Sequence, residues 1–306
     1  MPAHPSIVLG TRPTVSVGLF PALLVCLSAP AFFVLRIPWL GWALLAAGLL
    51  VAWLVRSRTD AEALASQASI PPASVSSEPA VPTGARPPGL VRDLSLIALG
   101  LLIVSAIPLA AELDNLAFVR FGLALGGAVL VPYLISRYAF RDHAIRFPWR
   151  WGGRWTTFQW TWLFAVLAFG WLILPFYFIT SGVYQNWPVV DTAEMIARLF
   201  VGVGAVGIWD ELFFICVVFT LLRRHFPDWQ ANLLQAIVFV SFLWELGYQA
   251  WGPLLTIPFA LVQAYIFKRT RSLTYVVTVH LLFDAVVFLV LVHAHNPGAL
   301  DWLFLI

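Results

Sequence analysis

Residues 207–224 read GIWDELFFICVVFTLLRR. Two adjacent acids, Asp210 and Glu211, stand inside an otherwise apolar run that two arginines, Arg223 and Arg224, close. With the residues before it the run spans 195–222, longer than the roughly 20 residues a helix needs to cross the hydrocarbon of a bilayer. A charged side chain at mid-bilayer is costly, so one found there is paired or does work. The stretch therefore reads as a membrane helix with buried acids, and the rest of the chain can be read outward from it.

The whole chain has the composition that such a helix demands. Of 306 residues 61% are apolar and 11% charged, where a soluble domain runs at about 45–50% and 25%. The surplus must face lipid. The 15 tryptophans and 24 phenylalanines suit rings that sit at membrane interfaces. The expected fold is all-α, a polytopic transmembrane helix bundle of about eight or nine spans. Candidate spans fall at 17–35, 38–55, 93–111, 116–136, 158–181, 195–222, 230–251, 253–267 and 273–293. The eighth is short and holds Pro258. The first reads as a membrane helix rather than a cleaved leader, because Pro21 and Pro30 interrupt it and a second span follows closely.

Charge placement orders these spans. Arg56 and Arg58 follow the second, Arg137, Arg141, Arg146, Arg150 and Arg154 the fourth, Arg223 and Arg224 the sixth, and Lys268, Arg269 and Arg271 the eighth. The opposite connections carry Glu112, Asp114, Asp191 and Glu194, with Arg36 the minor exception. By the positive-inside rule the N-terminus is cytoplasmic and the C-terminus external, in a multi-pass integral protein expected in a bacterial plasma membrane. The net charge of +3 does not point to nucleic acid. The basic, aromatic segment 137–157 reads as a loop on anionic headgroups, so membrane lipid is the expected partner there.

Four regions follow: an N-terminal helix pair (1–55), a Pro/Ser/Ala-rich disordered linker (56–92), membrane helices with the basic loop (93–194), and a core holding the polar cluster (195–295). Cys26 and Cys216 lie far apart inside apolar runs, which offers neither a disulfide framework nor zinc-ligand spacing. There is no glycine-rich phosphate loop. No cofactor is called for, and metal binding is left open.

The intramembrane ionisable residues concentrate in the last four helices. Asp210 and Glu211 lie on the sixth, Glu245 on the seventh, His280 and Asp284 on the ninth. His280 and Asp284 are four apart and share a helix face. Asp210 and Glu211 are about 100° apart, so both can border one cavity without pointing the same way. Counting residues along the helices puts Asp210 and Glu245 at similar depth, about 20 Å from the cytoplasmic end, with Asp284 slightly shallower and His280 at roughly 10 Å; helix tilt would bring them to the expected shared pocket opening to the cytoplasmic side. A desolvated carboxylate there can act as a general base on water. His280 can donate to an oxyanion, with Asp284 orienting the imidazole. The same groups can also bind a divalent cation or relay protons.

The motifs resemble those of the CPBP family of CaaX proteases and bacteriocin-processing (Abi) proteins, which are intramembrane glutamic endopeptidases. Asp210-Glu211-Leu212-Phe213-Phe214-Ile215-Cys216 stands where the family has a Glu pair, two apolar residues and Phe-Arg-Gly. Ser241-Phe242-Leu243-Trp244-Glu245 stands where it has Phe-x-x-x-His. His280-Leu281-Leu282-Phe283-Asp284 matches its His-x-x-x-Asn/Asp. Three positions depart: Asp210 replaces the water-activating glutamate, Ile215 an arginine, and Glu245 a histidine. The resemblance implies a metal-independent peptidase acting on a peptide or a prenylated protein C-terminus. Asp210 or Glu211, with Glu245, would activate water, and His280 and Asp284 would stabilise the oxyanion. The lost arginine and histidine keep open an inactive relative serving as membrane scaffold or immunity factor. The acid-rich cluster keeps open an ion or proton pathway.

Overall fold

In the computed structural model, which describes residues 17–68, 89–150 and 153–306, nine helices of 15 or more residues carry the chain and no strand occurs among the described residues. They are α1 (Leu19–Phe33), α2 (Pro38–Ala68), α3 (Leu90–Val104), α4 (Asn115–Leu134, continued by a π turn over Ile135–Ala139) and α5 (Thr157–Thr180). Then come α6 (Ala193–Leu222), α7 (Asp228–Leu246), α8 (Pro253–Thr270) and α9 (Leu273–His295). Each corresponds to an expected span. Five are long and apolar enough to cross a membrane on their own, namely α2 over Pro38–Ser57, α4, α5, α6 and α9. The chain is a multi-pass integral membrane protein built as a helical bundle.

Local sequence explains where the helices begin. Asp114, Thr156, Thr192 and Ser272 each accept a backbone N–H of the following turn at the start of α4, α5, α6 and α9, a contact that stabilises a helix by roughly 1 kcal/mol. Thr156 and Gln159 complete a reciprocal capping box. Pro253 opens α8, where its missing N–H costs nothing. Pro258 inside that helix does not end it, and the short eighth span is one helix of 18 residues.

Two boundaries differ from expectation. α2 continues to Ala68 and α3 starts at Leu90, so helix occupies both ends of the stretch 56–92 that composition marked as linker. The residues 56–68 lack the prolines that crowd the middle of that stretch, and a helix can run through them. The rest of the linker, 69–88, lies outside the described residues, as does the N-terminal stretch before residue 17.

The expected alternation of ends appears as contacts. Arg224 bridges Asp93 at the start of α3 and Asp142 beyond α4. Asp228, opening α7, pairs with Arg223 and with Lys268 at the end of α8. These basic residues therefore gather at one end of the bundle. At the other end Arg198 of α6 reaches Leu113 O just before α4 and Asn115 at its start, and Asn186 donates to Gly247 O after α7. α6 is the central helix, with 72% of its apolar window buried against 22% for α2.

Candidate active site

Within α6 the backbone changes winding at the acid pair. Ala193–Asp210 is α-helical, Glu211–Phe219 is a nine-residue π segment, and Thr220–Leu222 is α-helical again. Thr220 donates its N–H and its hydroxyl to Ile215 O, five residues back. Such widened turns are rare and recur at functional sites. Here Asp210 is the last residue on one winding and Glu211 the first on the other.

Four of the five sequence-predicted site residues converge. His280 Nδ1 lies 2.8 Å from Glu211 Oε1. On the other side of the ring, His280 Nε2 lies 3.6 Å from Asp210 Oδ2 and 3.8 Å from Asp284 Oδ1. All four side chains are buried. Phe259 of α8 stands edge-on to the imidazole at 5.1 Å between ring centroids, fixing its plane. Trp209 donates its indole N–H to Leu125 O at 2.7 Å and stacks on Phe213, which locks the rotation of α6 against α4.

The adjacent acids work on different faces, as the helical offset predicts. Asp210, His280 and Asp284 line a cavity of about 440 Å³, while Glu211 is absent from its wall. Glu211 stands behind the imidazole and Asp210 beside it. The 3.6 and 3.8 Å separations exceed a direct hydrogen bond and are of the kind bridged by one water. Asp210 Oδ1 and Glu211 Oε2 are buried without a protein partner. Among the described residues no group of three or more His, Cys, Asp or Glu side chains is arranged to hold a metal ion.

Glu245 does not join the cluster. It lies in the last turn of α7, accepts the Leu109 N–H at 3.4 Å, and feels the charge of Arg36 from the α1–α2 turn. Gly247, with φ of 133°, ends α7 just beyond it. Depth counted along the chain placed Glu245 level with Asp210, but Glu245 sits in the last turn of its helix against Leu109 and is absent from the cavity wall. From this region the cavity wall takes Leu243, Leu246 and Tyr248, of which Tyr248 brings a polar group. Its ring is held edge-on by Phe178 and Trp187. The sequence signal for it was the Leu246-Gly247 pair, a helix-terminating glycine that puts the next residue on a turn.

The cavity also opens at an unexpected place. Its walls come from the starts of α4, α6 and α8 and reach Glu112, Leu113 and Trp187, at the end away from Arg223, Arg224 and Lys268. The pocket expected at the basic end is thus found leading to the opposite one. Between α4 and α6 the wall includes Gly122 and Gly126, where an added Cβ would meet nothing within 4 Å.

Residues 191–286 match the model of a family described as Rce1-like, type II CAAX prenyl endopeptidase Rce1-like. That segment contains α6 to the middle of α9 and every clustered side chain, and it is the segment where the motifs showed the CPBP resemblance. No curated relative and no solved structure matches the chain.

Proposed function

We propose that the Rce1-like segment makes this chain an intramembrane endopeptidase of the CAAX type, cleaving a peptide or a prenylated protein C-terminus with a carboxylate-activated water. The observation that carries this reading is the meeting of Asp210, Glu211, His280 and Asp284, from two helices, at the wall of an otherwise apolar cavity.

Each group has a role set by its position. A water held between Asp210 and His280 Nε2 gives a proton to Asp210, whose Oδ1 is without a protein partner. The water oxygen adds to the scissile carbonyl carbon. The resulting oxyanion is met by the Tyr248 hydroxyl on the cavity wall, while His280 Nε2 stays the acceptor that orients the attacking water. The C–N bond then breaks as Asp210 returns its proton to the leaving nitrogen. Glu211 holds the imidazole from behind and Asp284 faces Nε2 from the side. Glu245 has no part in this scheme. The basic end of the bundle is assigned to the cytoplasm, in keeping with the positive-inside rule.

Purified protein in detergent or liposomes, given prenylated and unprenylated C-terminal peptides, tests the proposal. Hydrolysis is expected in the parent protein and is expected to fall by about 10²–10⁴-fold in Asp210→Asn and His280→Asn. Hydrolysis unchanged in both variants overturns the mechanism. Peptide binding with no hydrolysis in the parent protein replaces the enzyme with a peptide-holding relative.

A further inference from the structure

One buried polar side chain at the cluster has no role in the scheme above. Gln263 of α8 is only 4% exposed. Its Nε2 donates to Glu211 Oε1 at 2.8 Å and to Val276 O at 3.0 Å. A main-chain carbonyl only accepts, so the atom facing Val276 is the amide nitrogen and the orientation of the side chain is settled by its partners. Val276 lies one turn before His280 on α9. A single NH₂ group thus ties α6, α8 and α9 at the level of the site.

The consequence falls on the histidine. Glu211 Oε1 accepts from Gln263, and His280 Nδ1 approaches the same oxygen at 2.8 Å. An oxygen that already accepts presents a lone pair to the imidazole, which places the ring proton on Nδ1 and turns Nε2 toward Asp210 and Asp284. Without the amide, the Glu211 carboxyl can rotate about its last bond and this preference is lost. Shape alone does not call for glutamine among the apolar neighbours of α8, and its buried amide must be satisfied to be tolerated.

We infer that Gln263 is a positioning residue: it pins Glu211, and through Glu211 it sets the tautomer of His280 that leaves Nε2 facing the cavity. The kinetic consequence rests on the peptidase reading, whereas the tautomer does not.

The test uses the full chain in detergent with ¹⁵N-labelled histidine, the His280 signals being identified by their loss in His280→Asn. Gln263→Met keeps length and loses the hydrogen bonds, and Gln263→Asn keeps an amide that stops short of Glu211. The parent protein is expected to show one His280 tautomer with the proton on Nδ1, and both variants a mixture. With a cleavable peptide, kcat is expected to fall about tenfold or more while KM changes by less than about twofold. A single Nδ1–H tautomer retained in either folded variant overturns the inference, as does an unchanged kcat. A parent protein that cleaves no peptide defeats the proposed function alone, and the ring ¹⁵N signals still decide the role of Gln263.

Discussion

Gly207 of α6 and Asp284 of α9 pack so closely that a Cβ on the glycine would lie 2.0 Å from Asp284 Oδ2. The same Cβ would stand 3.6 Å from the His280 ring. Backbone of α6 therefore forms the floor on which the Asp284 carboxyl rests, one turn before Asp210. Gly207→Ala is expected to push Asp284 out of the cluster and lower turnover by about 10²-fold. The matching control is Gly204→Ala, whose Cβ would sit 3.9 Å from Leu281 and which should stay within about threefold of the parent. Steady-state cleavage of a peptide by the two variants decides it, and equal rates contradict the placement of Asp284.

Glu245 provides the sharpest contrast between motif and geometry. It stands with Leu109 and Arg36 rather than with His280. Glu245→Gln should leave kcat/KM within about threefold of the parent, the range of substitutions outside a site. A loss comparable to that of His280→Asn, measured in the same assay, returns Glu245 to the catalytic set.

Tyr248 is expected to behave oppositely. Tyr248→Phe removes a hydroxyl from the cavity wall without altering the aromatic contacts to Phe178 and Trp187. If that hydroxyl meets the oxyanion, kcat falls by about 10²-fold with little change in melting temperature. The preceding residue should affect stability instead. Gly247 has φ of 133°, and an added Cβ would lie 2.7 Å from the Trp187 ring. Gly247→Ala should cost about 1–3 kcal/mol, read as a lowered melting temperature in detergent.

The opposite end of the bundle depends on Asp93. It is 3% exposed and accepts from Arg224 at 3.1 Å, with His225 Nε2 at 2.6 Å. Arg224 also reaches Asp142 at 2.8 Å. Asp93→Ala leaves Arg224 with Asp142 alone and takes the carboxylate from His225, and should destabilise the protein by about 1–3 kcal/mol. The loss should persist at high salt, because buried pairs are weakly screened. Thermal unfolding at two ionic strengths measures both.

Asp228 sets a small pH dependence. Hydrogen bonds from Lys268 and then Arg223 hold its carboxyl below the usual carboxylate range. A depressed folded-state value means the stabilisation is present above the unfolded value, about 3.9, and is lost as pH falls through the folded one. The pair is over a third exposed, so after screening by solvent Asp228→Asn should cost no more than about 0.5 kcal/mol at neutral pH. The parent and variant stabilities should converge in acid once the pH has fallen below the folded-state value.

Hydropathy and charge along the chain determined the nine helices, their order and the gathering of arginines at one end. They also picked out Asp210, Glu211, His280 and Asp284, because an ionisable residue within an apolar run stands out wherever the helix later packs. Spacing alone placed His280 and Asp284 on one face. The tertiary structure decided which of these groups meet. The π segment that starts at Glu211 changes the winding of α6 directly after Asp210, and nothing in the apolar run 212–219 marks that change. The end of α7 at Gly247 withdrew Glu245 and brought in Tyr248. Gln263, unremarkable in sequence on a helix with few charges, became part of the site only when α8 packed between α6 and α9. Periodicity is a local property and survives in the sequence; the direction of a side chain across helices depends on winding and packing, which are set by contacts between residues far apart in the chain.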